Sequence, residues 1–342
     1  MWIPYRYLRH DIEQLHQFMS ETLLRVCFQA QPGIPFNINM LDTDFRPIVR
    51  AINNNYLLNP ITNLYNLCQP LTQAQRNFLS NAFVNNNDIQ GLCENTVAVV
   101  TYDDIEVQVG KPIRDLLNNH AVDLYEKVLK RAPYYNRHGR IEEYYNSLME
   151  NNGPSDTCPF CWIPPILDEF DDYREAYDHY LPKDQYPFTS VNFTNLAPMC
   201  HTCNSKYKLQ KPVIFTVIGG NRRRAFYPFH THQPEFILSI NLISTDLANL
   251  QKADIQLTIT ESTIFQDETD TWLDVFGLIE RYKGRCCKRG NEWVREINRL
   301  CRKMDVEDAL DVERENKEET PWIDMNFLKY PFLLAYQAQG VI

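Results

Sequence analysis

Apolar residues recur at helical spacing near the start of the chain. Ile12, Leu15, Phe18, Met19 and Leu23 mark one face of an amphipathic helix over 11–29. Asparagine-rich turns are expected at Asn53–Asn55 and Asn85–Asn87, with a helix between them that starts near Thr72 and turns Phe78, Leu79 and Phe83 inward. Val97 to Val100 reads as a short β-like run. After Pro112, a proline suited to a first helical turn, Leu116, Leu117, Val122, Leu124 and Leu129 predict one or two helices, and 139–150 another. Asn151-Asn152-Gly153-Pro154 is a strong breaker. Beyond residue 212 the period changes. Phe236–Ile243 and Ile255–Ile259 alternate apolar and polar positions, as half-buried strands do. Helical spacing returns at Trp272, Val275, Phe276 and Ile279, and again at Trp293, Ile297 and Leu300. An acid-rich linker over 305–319 and an apolar end, Trp322 to Tyr336, close the chain, the latter expected to pack back on the fold.

The expected class is therefore α+β. A mostly helical domain over 1–152, serving a partner or regulation, precedes a small chemical core over 153–212 and an α+β extension over 213–342. The chain has 342 residues and 44% hydrophobic content, enough for such cores. No run approaches the roughly 18 apolar residues of a membrane span, and the start, Met-Trp-Ile-Pro-Tyr-Arg, does not resemble an export leader. A cytoplasmic protein without membrane contact is the expectation.

Cysteine usage narrows the chemistry. Of ten cysteines, Cys27, Cys68, Cys93, Cys286, Cys287 and Cys301 are scattered through apolar or helical stretches and read as core or surface thiols. The other four form two pairs, Cys158-Pro-Phe-Cys161 and Cys200-His-Thr-Cys203. Four thiolates close a tetrahedral structural Zn²⁺ site, and two C-x-x-C knuckles are a specific signal for one. His201 reads as a surface residue between ligands.

Between and just after the knuckles lie Asp178-His179, Thr194-Asn195-Leu196 and Cys203-Asn204-Ser205-Lys206. Phosphodiester cleavage needs an activated water, a Lewis acid at the phosphate and help for the leaving oxygen. His179 suits a general base. The side-chain oxygens of Asp178 and Asn204 are hard ligands suited to one Mg²⁺ or Mn²⁺. The order of these residues resembles the HNH branch of the His-Me finger endonucleases over about 50 residues. The resemblance implies a ββα-metal core, with Asp178-His179 on its first strand, Asn195 fixing the loop and orienting His179, and Asn204 on the helix. Lys206 and Lys208 would then contact a flanking phosphate. A second lysine often follows Lys206 directly in that family; here Tyr207 takes the place.

The formal net charge of −10 argues against a protein that coats nucleic acid. Charge is nonetheless uneven, since Lys206, Lys208, Lys211 and Arg222-Arg223-Arg224 fall in an acid-free stretch. Arg222, Arg223 and Arg224, with Tyr227 and Phe229 behind them, read either as a phosphate guide with stacking aromatics or as a solvated basic turn. Arg281, Lys283, Arg285, Lys288 and Arg289 read either as an extension of that groove or as a solvated inter-helix loop. The stretch from Thr271-Trp272 to Lys283 is similar to the segment that follows the core in HNH nucleases of bacterial anti-phage defence, the Septu type among them. That likeness implies an ATPase or sensor protein as partner. The expected function is DNA cleavage, with RNA or transfer RNA cleavage, and a non-catalytic zinc-dependent binding module, as the alternatives.

Overall fold

The computed structural model describes residues 2–152, 157–167, 170–217, 219–261 and 264–340. The breaker Gly153-Pro154 lies outside the described residues. The architecture is mixed, with many helices and two small antiparallel sheets.

The first amphipathic stretch forms a continuous helical run, Asp11–Glu13, Gln14–Glu21 and Thr22–Cys27, with Ile12, Leu15, Phe18, Met19 and Leu23 all buried. The helix Gln73–Asn87 begins at Thr72, whose hydroxyl accepts from Gln75 N while Gln75 reaches back to the Thr72 backbone. It runs through Asn85–Asn87, so the turn expected there is helical. A further helix, Leu58–Cys68, precedes it. Val97–Val100 is not a strand. Instead Val100 donates to Asn86 Oδ1 at 3.0 Å and its carbonyl accepts from Asn86 Nδ2 at 2.7 Å. One buried amide thus takes the place of a partner strand. After Pro112 the chain runs without a break through Lys111–Asp123 and Leu124–Val128.

Two short strands, β1 (Tyr177–His179) and β2 (Leu196–Pro198), pair antiparallel with Asp178 opposite Ala197 and His179 opposite Leu196. A short helix, Cys203–Lys208, follows. The second hairpin pairs β3 (Phe236–Leu242) with β4 (Ile255–Glu261). In β4, Ile255, Leu257 and Ile259 are buried and the residues between them exposed, as the alternation predicts. Helices Gln266–Phe276 and Leu278–Leu300 meet at Gly277, whose φ of +59° is the left-handed cap conformation. A Cβ there would meet the Tyr207 ring at 2.8 Å, so the joint is also where the helix Cys203–Lys208 approaches closest. The acid-rich stretch expected as a linker is a helix, Val306–Glu319, started by the Asp305 side chain. Lys329, on the last helix Asn326–Gln337, ties it to the long helix through Glu313 at 2.9 Å and Glu296 at 2.8 Å.

The three segments expected from the sequence share one buried apolar cluster. The chain start lies across the middle segment. Trp2 packs edge-on against Phe160 at 4.9 Å and stacks on Phe226 at 5.2 Å. Tyr5 N donates to Pro228 O at 2.8 Å and its hydroxyl to Pro198 O at 3.0 Å. Burying the indole's apolar surface stabilises by about 4 kcal/mol, offset by about 1–3 kcal/mol for its unpartnered Nε1–H. Asn86 Nδ2 also reaches Pro187 O at 3.2 Å, and Asn192 Nδ2 reaches Asn87 O at 3.1 Å. The hairpin segment is thus held from several sides by the N-terminal helices.

Candidate metal centre and active site

The two cysteine pairs converge. All four Sγ atoms lie within 4.8 Å of one another and all four residues are buried. Cys158 and Cys203 are 4.0 Å apart, as are Cys161 and Cys200. A zinc–thiolate tetrahedron with bonds of about 2.3 Å has edges of about 3.8 Å, so the set fits Zn²⁺ with little adjustment. Local geometry explains the fit. Cys161 N and Trp162 N both fold back on Cys158 O, at 3.1 Å and 2.8 Å, with Trp162 at φ +52°. In the second pair Cys203 N points at Cys200 Sγ, 3.4 Å away. Helices from the C-terminal third then lock the turns: Trp272 Nε1 donates to Phe160 O at 2.8 Å and Tyr282 Oη to Cys161 O at 3.0 Å. Arg281 Nη1 donates to Cys203 Sγ at 3.3 Å, and its guanidinium lies 4.5 Å from the Tyr207 ring centre. A cation against a thiolate cluster offsets negative charge that burial would otherwise penalise. Among the described residues this is the one group of three or more His, Cys, Asp or Glu whose ligand atoms converge.

Beside this centre sits the β1–β2 hairpin. Asn195 is fully buried and clamps the loop after His179: Leu181 N donates to its Oδ1 at 2.8 Å, and its Nδ2 donates to Leu181 O at 2.9 Å. Its own carbonyl accepts from Tyr180 N at 2.9 Å. His179 is half-buried, with Nε2 2.9 Å from the Ser190 carbonyl and the Tyr125 ring edge-on at 4.6 Å. A carbonyl only accepts, so Nε2 carries the proton and Nδ1 keeps its lone pair. Burial pushes the imidazole down to about 3, Ser190 O opposing and the charges of Lys183 and Lys208 adding. The ring is therefore neutral across the ordinary pH range, with its lone pair at Nδ1.

Asp178 is buried, with Lys208 Nζ 2.8 Å from its Oδ2. The same ammonium donates to His179 O at 3.0 Å. Burial pushes the Asp178 carboxyl up and Lys208 pulls against it. The sequence placed Lys208 on a phosphate; here it is buried and faces inward. Part of the reason is a widened helical turn, in which Leu209 N donates to Asn204 O at 2.9 Å, five residues back. Asn204 is half-buried at the start of that turn and Lys206 is exposed.

The three arginines are largely committed elsewhere. Arg222 donates to Leu92 O at 2.8 Å and Asn95 Oδ1 at 2.9 Å. Arg223 pairs with Asp274 at 2.7 Å, and Arg224 with Glu268 at 2.8 Å. Tyr227 and Phe229 are buried, which removes the stacking surface expected of them. Tyr125 and Ser190, both on His179, were not found from sequence. Neither belongs to a motif, and Tyr125 comes from a helix far along the chain that only folding brings in.

No family model matches the chain, and no solved structure gives a significant match. No helix among the described residues is long and apolar enough to cross a membrane. One curated relative is the Septu protein PtuB of Bacillus thuringiensis, 45% identical over 58 residues. That stretch is 17% of this chain and 20% of that protein, so the likeness is partial, to a defence-system protein, over about a fifth of its length.

Proposed function

We propose that the chain is a metal-dependent HNH endonuclease that hydrolyses phosphodiester bonds in DNA and serves bacterial anti-phage defence. The observation that carries the reading is the placement of His179. Its Nε2–H is committed to Ser190 O, which leaves the Nδ1 lone pair as the acceptor. A general base needs such a lone pair, oriented toward the attacking water. Asn195, acting through the Leu181 backbone, positions the loop that carries His179. The hairpin-then-helix order and the flanking cysteine pairs are consistent with a ββα-metal core.

The donor set also fits a hard divalent ion. Asp178 and Asn204 offer side-chain oxygens, and Mg²⁺ commonly takes few protein ligands plus substrate phosphate. When bound there, Mg²⁺ or Mn²⁺ supplies Lewis-acid activation of the phosphate. Lys208 Nζ now holds Asp178 Oδ2, so an ion would bind at Oδ1 or displace that ammonium. Lys206 is exposed on the same short helix and is the residue we assign to a flanking phosphate. The family resemblance in the sequence further leads us to propose that the chain acts in the cytoplasm with a separate ATPase or sensor protein. Side-by-side digestion of supercoiled plasmid, single-stranded DNA and transfer RNA, with Mg²⁺ and with chelator, tests the reading. Metal-dependent cutting of plasmid supports it; cutting of transfer RNA alone moves the substrate to RNA. Salt-sensitive binding of all three with no cutting would leave a non-catalytic zinc module.

A further inference from the structure

The long helix Leu278–Leu300 has 23 residues and buries Tyr282, Cys286, Trp293 and Ile297 on one face. Its opposite face carries Arg281, Arg285, Lys288, Arg295 and Arg299. These are spaced by four, three, seven and four residues, which keeps them on a single stripe. Lys288, Arg295 and Arg299 are exposed and Arg285 is half-buried. Among the described residues none of these four has a carboxylate within 4.0 Å. The acids nearby are already shared: Glu292 pairs with Arg289 at 2.6 Å, and Glu280 with Lys283 at 3.5 Å and Lys252 at 3.6 Å. At the start of the helix the stripe opens into a cleft of about 290 Å³, lined by Thr202, Tyr207, Lys252, Arg281, Arg285 and Lys288 among others. Thr202 and Tyr207 flank Asn204 and Lys206, so the cleft borders the helix that carries the candidate metal ligand.

We propose that this stripe is the track for a nucleic-acid backbone leaving the active site. The proposal rests on the nuclease reading for its choice of ligand. From Arg285 to Arg299, beyond Arg281 and its contact with Cys203 Sγ, the helix rises roughly 21 Å, the length of about six base pairs at 3.4 Å each. Neighbours three or four residues apart sit about 5–6 Å apart at their bases. Lys288 and Arg295 stand roughly 10 Å apart, with Glu292 between them drawn aside to Arg289 at 2.6 Å. None of the large exposed apolar residues among those described lies on this helix. A protein partner would need an apolar anchor at the centre of its contact, which the stripe lacks. A polyphosphate needs only regular positive charge. The chain as a whole carries a net charge of −10, so its other faces repel such a ligand and confine it to this one.

The test is fluorescence anisotropy of a labelled 24-base-pair DNA duplex, titrated with the full chain at several salt concentrations. All proteins carry His179→Ala, so that cleavage cannot intervene. One variant combines Arg285→Gln, Lys288→Gln, Arg295→Gln and Arg299→Gln; glutamine is a good helix former, so the helix is retained. A charge-matched control places Arg50→Gln, Lys111→Gln, Lys127→Gln and Arg137→Gln on exposed positions of the N-terminal helices. The expected result is a stripe variant with Kd raised about 30-fold or more at 100 mM salt and a log–log salt slope shallower by about three. The control should bind as the parent does. Equal weakening by both variants, or no binding by the parent, would overturn the proposal. A wild-type chain that cuts plasmid while the stripe variant binds normally keeps the nuclease and discards the track. Stripe-dependent binding by a chain that cuts nothing does the reverse.

Discussion

The side chains with most leverage are buried polar groups with few partners. Asn195 satisfies both backbone groups of Leu181 from inside the core. Asn195→Ala leaves a donor and an acceptor unpaired in a dry site, each at about 1–3 kcal/mol. We predict a loss of about 2–4 kcal/mol by denaturant unfolding, together with slower cleavage. A loss under about 0.5 kcal/mol would mean that the loop finds other partners. His120 is a second case. It is buried with Nδ1 unpartnered, and burial pushes it down to about 4 from an ordinary 6.5. Above pH 6.5 it is neutral in both folded and unfolded chains. Between 6.5 and 4 the unfolded chain takes up a proton that the folded chain refuses, so stability falls as pH falls. At pH 5 the loss is about 2 kcal/mol from this group, and His179 adds to it with the same sign. His120→Phe should flatten that slope, read from unfolding midpoints at pH 7.5 and 5.0; an unchanged slope would contradict the assignment.

At the scale of elements, two short strands and a helix of six residues cannot hold themselves. The cysteine cluster and the surrounding helices do it for them. Zinc content should therefore be one per chain. Cys158→Ser, or exhaustive chelation, should lower the melting temperature by about 10 °C or more, because metal binding and folding are coupled. A melting curve indifferent to zinc would remove the metal from the account. The elements that sequence made legible are those with local signatures: the knuckles, the alternating β3 and β4, the capped helix after Thr72. The elements it misread lack one. Val97–Val100 has strand composition but receives its hydrogen bonds from Asn86. Residues 305–319 have linker composition but a helix cap at Asp305 and a buried Glu313–Lys329 pair. Gly277 divides what had read as a helix containing both Trp272 and Ile279.

For the molecule as a whole, the motif residues were legible and their neighbours were not. Cysteine spacing foretold a cluster that does converge. Nothing local foretold that Lys208 would turn inward to Asp178, that Arg223 and Arg224 would pair with Asp274 and Glu268, or that Tyr125 would cover His179. Those contacts depend on which segments the shared core brings together. They move the exposed positive charge from the arginine triplet to the stripe on the long helix, against a chain that is acidic overall. They also place the N-terminal helices directly on the candidate base, so the part of the chain without a motif shapes the site.

The most direct test of the account is plasmid cleavage by purified wild type and His179→Ala in Mg²⁺ or Mn²⁺, with zinc content and melting temperature measured on both. The account predicts metal-dependent nicking or linearisation by the wild type and a loss of at least about 100-fold in the variant, with zinc and fold retained. Cleavage by the variant at the wild-type rate would contradict His179 as the base and, with it, the proposed mechanism.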